Sequence, residues 1–271
     1  MKIGIQGSEG SFHYEVATKL FGKENEFVEC MDFNDIPALL KSGEIDKGIM
    51  AVENTIAGAI LPNYSLIDEY DLHICGEYYL PIEHHLMALP GQKIENIREV
   101  WSHPMALLQC RKFLRKHPHI KIVEEKDTAE MAKIIQQKNL DGIAAIAGYE
   151  AAKIYELEII AESIQTNKIN ATRFVVLDMH NGNSTQNFDK SSIRFKLSHQ
   201  PGSLLQILQI FKDHGLNMSK IQSVPIINKP WEYAFFADLL IKDKEQYQLA
   251  MYKVAQQAVE LKILGEYKNG K

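Results

Sequence analysis

An amide, a hydroxyl, a guanidinium and an aromatic ring fall within five consecutive residues, Asn170-Ala171-Thr172-Arg173-Phe174, and the chain then runs into Val175-Val176-Leu177. A guanidinium can pair bidentately with a carboxylate, and a neighbouring hydroxyl can donate one hydrogen bond to a second group. The β-branched, apolar run that follows reads as a buried strand, so the polar residues sit at a strand's start on a rigid element. The plainer reading of the same residues is a strand start with Arg173 paired to a surface acid. A second polar triplet, Glu53-Asn54-Thr55, ends the apolar run Gly48-Ile49-Met50-Ala51-Val52. Ligands of open α/β sheets sit beyond the carboxyl ends of strands, which suits such a triplet. A helix cap by Asn54 or Thr55 explains it equally well.

A third stretch, Gly7-Ser8-Glu9-Gly10-Ser11, separates a strand at 2–6 from a helical pattern with Val16, Ala17, Leu20 and Phe21 on one face. Ser11 fits an N-cap. Strand, glycine loop and helix in that order place backbone N–H groups where an anion could bind. The loop lacks the further residues of a nucleotide fingerprint, and a tight turn accounts for it as well. His84-His85, His103 and His117-x-His119 have no third ligand at a diagnostic spacing, so they read as core or solvated histidines rather than as a metal site.

These residues must be held by an ordinary globular chain, with 271 residues of which 45% are hydrophobic and 24% charged. That length allows more than one domain. A net charge of −5 argues against a nucleic-acid partner, so an anionic ligand needs a local positive site. No apolar run approaches the length needed to cross a membrane, and the chain starts in a strand rather than a signal peptide, so no membrane association and a cytoplasmic location are expected. Cys30, Cys75 and Cys110 are far apart and form no Cys-x-x-Cys pair, which predicts reduced thiols.

Strands are expected at 2–6, 26–31 and 47–52 with a helical segment at 36–41, an alternation that implies a largely parallel sheet. Two longer strands at 72–80 and 84–89 lead into a second α/β lobe, in which Val100-Trp101-Ser102 precedes His103 and strands follow at 120–124 and 143–147, with Ile159-Ile160 after them. Its helices start at Pro104, span 128–137 and run through Tyr155, and a cleft separates the two lobes. The polar, glycine-containing segment 180–190 is the best domain boundary. Beyond it come a strand at 192–197, a helix at 203–214, strands at 216–224 and 233–241 around the turn Asn228-Lys229-Pro230, a helix at 245–259 and a strand at 261–267. This is a ferredoxin-like βαββαβ unit with no paired acid and base, nucleophile or metal set, and it reads as a binding or regulatory module.

The order and spacing of these segments carry a resemblance. Residues 7–12, Val52-Glu53-Asn54-Thr55 with Gly58, His103-Pro104 through Gln109-Cys110, Thr128-Ala129, Ala144-Ala145-Ile146-Ala147 and, above all, Asn170 to Phe174 are similar to prephenate dehydratase. This family acts in phenylalanine biosynthesis and carries a C-terminal ACT regulatory domain. Pro201-Gly202-Ser203-Leu204, Leu216-Asn217-Met218-Ser219-Lys220-Ile221 and Tyr233-Ala234-Phe235-Phe236-Ala237-Asp238 resemble the ACT part. The resemblance implies an α/β fold, with a two-lobed catalytic domain like the type II periplasmic binding proteins over 1–179, a linker at 180–190 and a ferredoxin-like ACT domain over 191–271.

It further implies a lyase that turns prephenate into phenylpyruvate, water and carbon dioxide without cofactor or metal, because forming an aromatic ring drives the elimination. Thr172, Arg173 and Glu53 would be catalytic, with Thr172 a positioned hydrogen-bond donor to the leaving hydroxyl. Arg173 would hold the side-chain carboxylate, since pairing with the ring carboxylate would stabilise the ground state and oppose decarboxylation. Ser11, Asn54, Thr55, Gln109, Asn170 and Phe174 would bind substrate, and Glu53 would orient its neighbours. Gly202, Ser203, Leu204, Asn217, Gln222 and Ser223 would bind an effector, L-phenylalanine. The family's usual Glu-Ser-Arg-Pro is here Gln222-Ser223-Val224-Pro225, which removes an anion for the amino group and a cation. Met105 stands where the family usually has Gln, leaving Gln109 as that helix's polar contributor. Arogenate, with an amino for a keto group, is the competing substrate, and a homodimer or homotetramer is expected.

Overall fold

The structure is a computed structural model that describes residues 1–179, 187–226 and 232–270. In chain order the elements are β1 (Lys2–Gln6), α1 (Phe12–Phe21), β2 (Glu26–Cys30), α2 (Asp35–Ser42), β3 (Lys47–Asn54), β4 (Gly58–Ala59), α3 (Leu61–Glu69) and β5 (His73–Pro81). Next come β6 (His85–Ala88), β7 (Glu99–Ser102), α4 (Pro104–Gln109), α5 (Arg111–Leu114), β8 (Lys121–Glu124), α6 (Thr128–Gln137), β9 (Ile143–Ala147), α7 (Tyr149–Ile154), β10 (Glu158–Ala161) and β11 (Ala171–Asp178). The last are β12 (Lys190–Lys196), α8 (Ser203–Asp213), β13 (Asn217–Pro225), β14 (Tyr233–Leu240), α9 (Lys244–Gln257) and β15 (Glu260–Tyr267). Residues 180–186 of the expected linker and the expected turn at Asn228-Lys229-Pro230 lie outside the described residues. Among the described residues no helix is long and apolar enough to cross a membrane, and the three cysteines are free.

The chain divides into two compact units. Met1–Gly58 and Tyr79–Phe174 form the first, and Ala59–Tyr78 and Val175–Lys271 form the second, so the division runs through β5 and β11. One sheet has the strand order β2-β1-β3-β11-β5, with β4 on β3. Within the first unit β1 lies parallel to β2 and β3, as the alternation of strand and helix requires.

The other sheet of the first unit has the order β10-β6-β9-β7-β8. It is mixed: β7 is parallel to β8 and β9, while β6 is antiparallel to β9 and β10. Its inner strands β6 and β9 read as largely apolar runs because both of their faces are buried. Leu86, Ala88, Val100, Ala144 and Ile146 face α4 and α5, and Met87, Ala145 and Ala147 face α6 and α7. Each large apolar side chain so buried contributes about 1.5–3 kcal/mol. α6 starts where its sequence predicts, because Asp127 caps it by accepting the Glu130 N–H at 2.7 Å.

In the second unit the βαββαβ order gives a sheet β13-β14-β12-β15. α8 and α9 cover one face over a core of Ile193, Phe195, Ile207, Phe211, Leu239, Tyr247 and Met251. α3, which the sequence did not reveal, belongs to this unit. Its nine residues have only weak apolar periodicity, and what stabilises it is packing. Tyr64, Leu66 and Ile67 are buried, and the Tyr64 ring lies 5.2 Å from that of Phe236. Asp68 pairs with Arg194 at 3.0 Å, and Asp71 with Lys262 at 2.6 Å.

Candidate active site

The end of β3 lies beside the start of β11. The Thr55 N–H donates to the Ala171 carbonyl at 2.9 Å, and the Ala171 N–H donates to Thr55 Oγ1 at 3.0 Å. This pairing brings Asn54 to Thr172. Asn54 Oδ1 accepts the N–H groups of Ile56 and Ala57, both at 2.9 Å, which fixes the sense of its amide. Asn54 Nδ2 is therefore the donor facing Asn170 Oδ1 at 2.8 Å, Thr172 Oγ1 at 2.9 Å and the Ala171 carbonyl at 3.3 Å. Two amide protons are shared among three acceptors. The Thr172 hydroxyl accepts from Asn54, and among the described residues no protein group takes its proton.

From Asn170 the chain of amides continues. Asn170 Nδ2 donates to Gln109 Oε1 at 2.9 Å, and the same oxygen lies 2.9 Å from His84 Nε2. Gln109 is the last residue of α4, so a side-chain network starting on β3 and β11 ends in the second sheet's layer. The His84 ring meets Phe12 edge-on with centroids 5.6 Å apart. His84 is buried; desolvation pushes its pKa down to about 4, with His85 adding to the effect and the bond to Gln109 opposing it.

The remaining candidates sit around this network. Glu53 and Arg173 precede and follow residues of the network, and strand alternation turns them to the faces opposite Asn54 and Thr172. Arg173 is 3% exposed, a buried cation one residue from the hydroxyl. Phe174 shares the Thr172 face, and its ring lies 4.9 Å from that of His13. Ser11 caps α1: its hydroxyl accepts from the Tyr14 N–H at 3.2 Å and donates to the Gln6 carbonyl at 3.3 Å. In the loop before it, the N–H groups of Gly7, Glu9 and Ser11 are bonded to Cys30, Glu29 and Ser8, which makes the stretch a tight turn. Among the described residues no three His, Cys, Asp or Glu side chains come together to hold a metal.

A family model described as prephenate dehydratase matches residues 3–182. The chain belongs to the prephenate dehydratase family. The bifunctional chorismate mutase/prephenate dehydratase of Aquifex aeolicus (strain VF5) is 35% identical over 269 residues, 98% of this chain and 73% of that protein. An arogenate dehydratase/prephenate dehydratase 2, chloroplastic, of Arabidopsis thaliana is 34% identical over 280 residues, 98% of this chain and 72% of that protein. The prephenate dehydratase of Arthrobacter aurescens, solved in complex with L-Phe, shares the fold with a TM-score of 0.87 at 24% identity, covering 100% of this chain and 90% of that one.

In this prephenate dehydratase family member the structure draws Asn54, Thr55, Gln109, Asn170 and Thr172 into one hydrogen-bonded set, while Ser11 caps α1 and Phe174 meets the His13 ring. His84 was read from sequence only as a core or solvated histidine, and Gln165 was not singled out. The latter's Oε1 accepts the His84 N–H at 3.0 Å. No local pattern marks either residue, because their partners lie on other elements.

In the second unit the expected effector residues are spread by register. Gly202 precedes α8 with a φ of 86°, and Leu204 packs against the core beneath. Asn217 pairs with Leu240, four and five residues along β14 from Phe236 and Phe235, which pair with Gln222 and Ser223. Gln222 Nε2 donates to the Ser223 carbonyl at 2.9 Å. Ser203 lines a cavity of about 710 Å³ with His199, Pro201, Tyr233 and Phe235.

Proposed function

We propose that this chain catalyses the decarboxylative dehydration of prephenate to phenylpyruvate, with residues 1–179 as the catalytic part, 180–190 as linker and 191–271 as a regulatory ACT domain that takes L-phenylalanine. The ring C–O bond breaks as the hydroxyl takes a proton and leaves as water. The bond from the ring to its carboxylate gives its electron pair to the forming aromatic ring, and carbon dioxide departs. Thr172 recovers its proton from solvent.

The observation that carries this reading is the polarity of the Thr172 hydroxyl. It is occupied as an acceptor by Asn54, whose amide is pinned by two backbone N–H groups, so its own proton is left for a ligand. A threonine hydroxyl is a weak acid, and its use is as an oriented donor whose proton moves only while the C–O bond breaks. Arg173 supplies the cation that a dianionic substrate needs in a chain of net charge −5, and we assign it to the side-chain carboxylate. Glu53 orients neighbouring groups. Phenylalanine as effector is supported by the L-Phe complex of the Arthrobacter protein, and a homodimer or homotetramer by the resemblance of its ACT segments. The absence of any helix long and apolar enough for a membrane, among the described residues, accords with a cytoplasmic enzyme.

The test is phenylpyruvate formation from prephenate by purified protein, with and without phenylalanine. Thr172→Ala is expected to lower kcat by roughly 10²- to 10⁴-fold. Arg173→Lys is expected to raise KM with little loss of kcat, whereas a collapse of kcat at unchanged KM would remove its anchoring role. Turnover of arogenate alone would move the substrate assignment to that compound.

A further inference from the structure

The amide chain running back from Thr172 ends on His84, and its geometry decides where the protons of that ring sit. Asn54 is pinned with Oδ1 toward the Ile56 and Ala57 N–H groups, so Asn170 must present Oδ1 to it and Nδ2 to Gln109. Gln109 then presents Oε1, which can only accept, and His84 Nε2 at 2.9 Å must be the donor. Burial keeps the ring neutral, so Nδ1 carries no proton, and among the described residues that buried nitrogen has no hydrogen-bond partner.

We infer that His84 is a positioning residue: as the Nε2–H tautomer it pins Gln109, and so holds the amide chain in the one sense that presents the Thr172 hydroxyl as a donor. This rests on the reading of Thr172 as the donor to the leaving hydroxyl. Without a donor at His84, Gln109 and Asn170 gain a second arrangement in which both amides are turned over. In it the Asn170 amide nitrogen faces the Asn54 amide nitrogen, two donors repel, and the bond that steadies Asn54 under Thr172 is lost. With His84 in place the network is pinned at both ends, by backbone N–H groups at Asn54 and by a ring N–H at Gln109. The unpartnered Nδ1 supports a functional reason for the residue. A buried ring nitrogen without a partner is unfavourable, and an apolar side chain packed on Phe12 would fill the place without that penalty.

The experiment compares wild type, His84→Leu and His84→Gln on prephenate, with thermal midpoints and the ¹⁵N spectrum of the His84 ring. His84→Leu, which removes the donor, is expected to lower kcat roughly 10- to 100-fold with its thermal midpoint held and KM changed by less than about two-fold. His84→Gln, which keeps an N–H within reach, is expected to recover most of that loss. The inference is overturned if His84→Leu keeps kcat within about two-fold of wild type, if His84→Gln is as poor as His84→Leu, or if the ring proton is found on Nδ1. Absence of wild-type turnover on both prephenate and arogenate would instead refute the proposed function, and the ring spectrum would still decide the tautomer.

Discussion

At the scale of single residues, burial sets the protonation of the groups around the site. His13 lies on α1 with its Nε2 accepting the Ala51 N–H at 3.3 Å, and desolvation pushes its pKa from the ordinary 6.5 down to about 3. Below pH 6.5 the unfolded chain takes up a proton that the folded chain refuses, so the unfolded state binds more protons in that window. Stability is thus full above about pH 6.5 and falls toward pH 3, by up to about 1.4 kcal/mol per pH unit for one such group. His84, held near 4 by the same cause, adds to the slope. Urea midpoints measured from about pH 7.5 down to about pH 4.5 should show a shallower acid decline for His13→Gln than for wild type, and equal declines would show that His13 is protonated in the fold. Thr172 was legible from its neighbours in the chain. His84 was not, since its partner Gln109 lies 25 positions away and no spacing joins them.

At the scale of elements, the glycine loop before α1 is a packing device. Gly10 has a φ of 84°, and a β-carbon there would lie 2.9 Å from the Ala151 Cα of α7. Both the left-handed backbone and the close approach therefore favour glycine. Gly43, with a φ of 77° and open space around it, isolates the backbone effect. Gly43→Ala is expected to cost about 1 kcal/mol from backbone strain alone. Gly10→Ala is expected to cost about 2–4 kcal/mol, the excess coming from the clash with α7. Urea unfolding of the two variants checks the difference, and equal losses would show that α7 yields freely to a methyl group. Most elements were legible because their periodicity and caps are local. α3 was not, because a short helix of weak periodicity is stabilised by a sheet built from residues more than a hundred positions later.

At the scale of the whole molecule, the second unit joins segments that a linear reading assigns to different domains. Glu77 of β5 and Lys190 of β12 form a bidentate ion pair at 2.9 and 2.8 Å, with side chains 0% and 1% exposed. The Gly270 N–H adds a bond to Glu77 Oε1 at 3.0 Å. Removing one member of such a pair leaves a buried charge, while replacing both with apolar groups removes the desolvation penalty as well. Lys190→Met is expected to destabilise by about 3–5 kcal/mol, and Glu77→Leu with Lys190→Met to recover most of that loss. Calorimetric unfolding of the single and double variants checks the coupling; additive losses would show that the pair is not a unit.

Local sequence determined the order of most strands and helices, the βαββαβ C-terminal unit, the N-cap at Ser11, the helix start at Thr128, and the family motif at Thr172. These depend on periodicity, capping and β-branched runs, which are properties of neighbouring residues. Only the tertiary structure decided the mixed pairing of the second sheet, the place of α3 in the second unit, and the polarity of the Thr172 hydroxyl. That polarity comes from Asn54, which is 116 positions from Asn170 and 118 from Thr172. A hydrogen bond over such a distance leaves no trace in periodicity, because it depends on where two strands are paired and not on what either strand is.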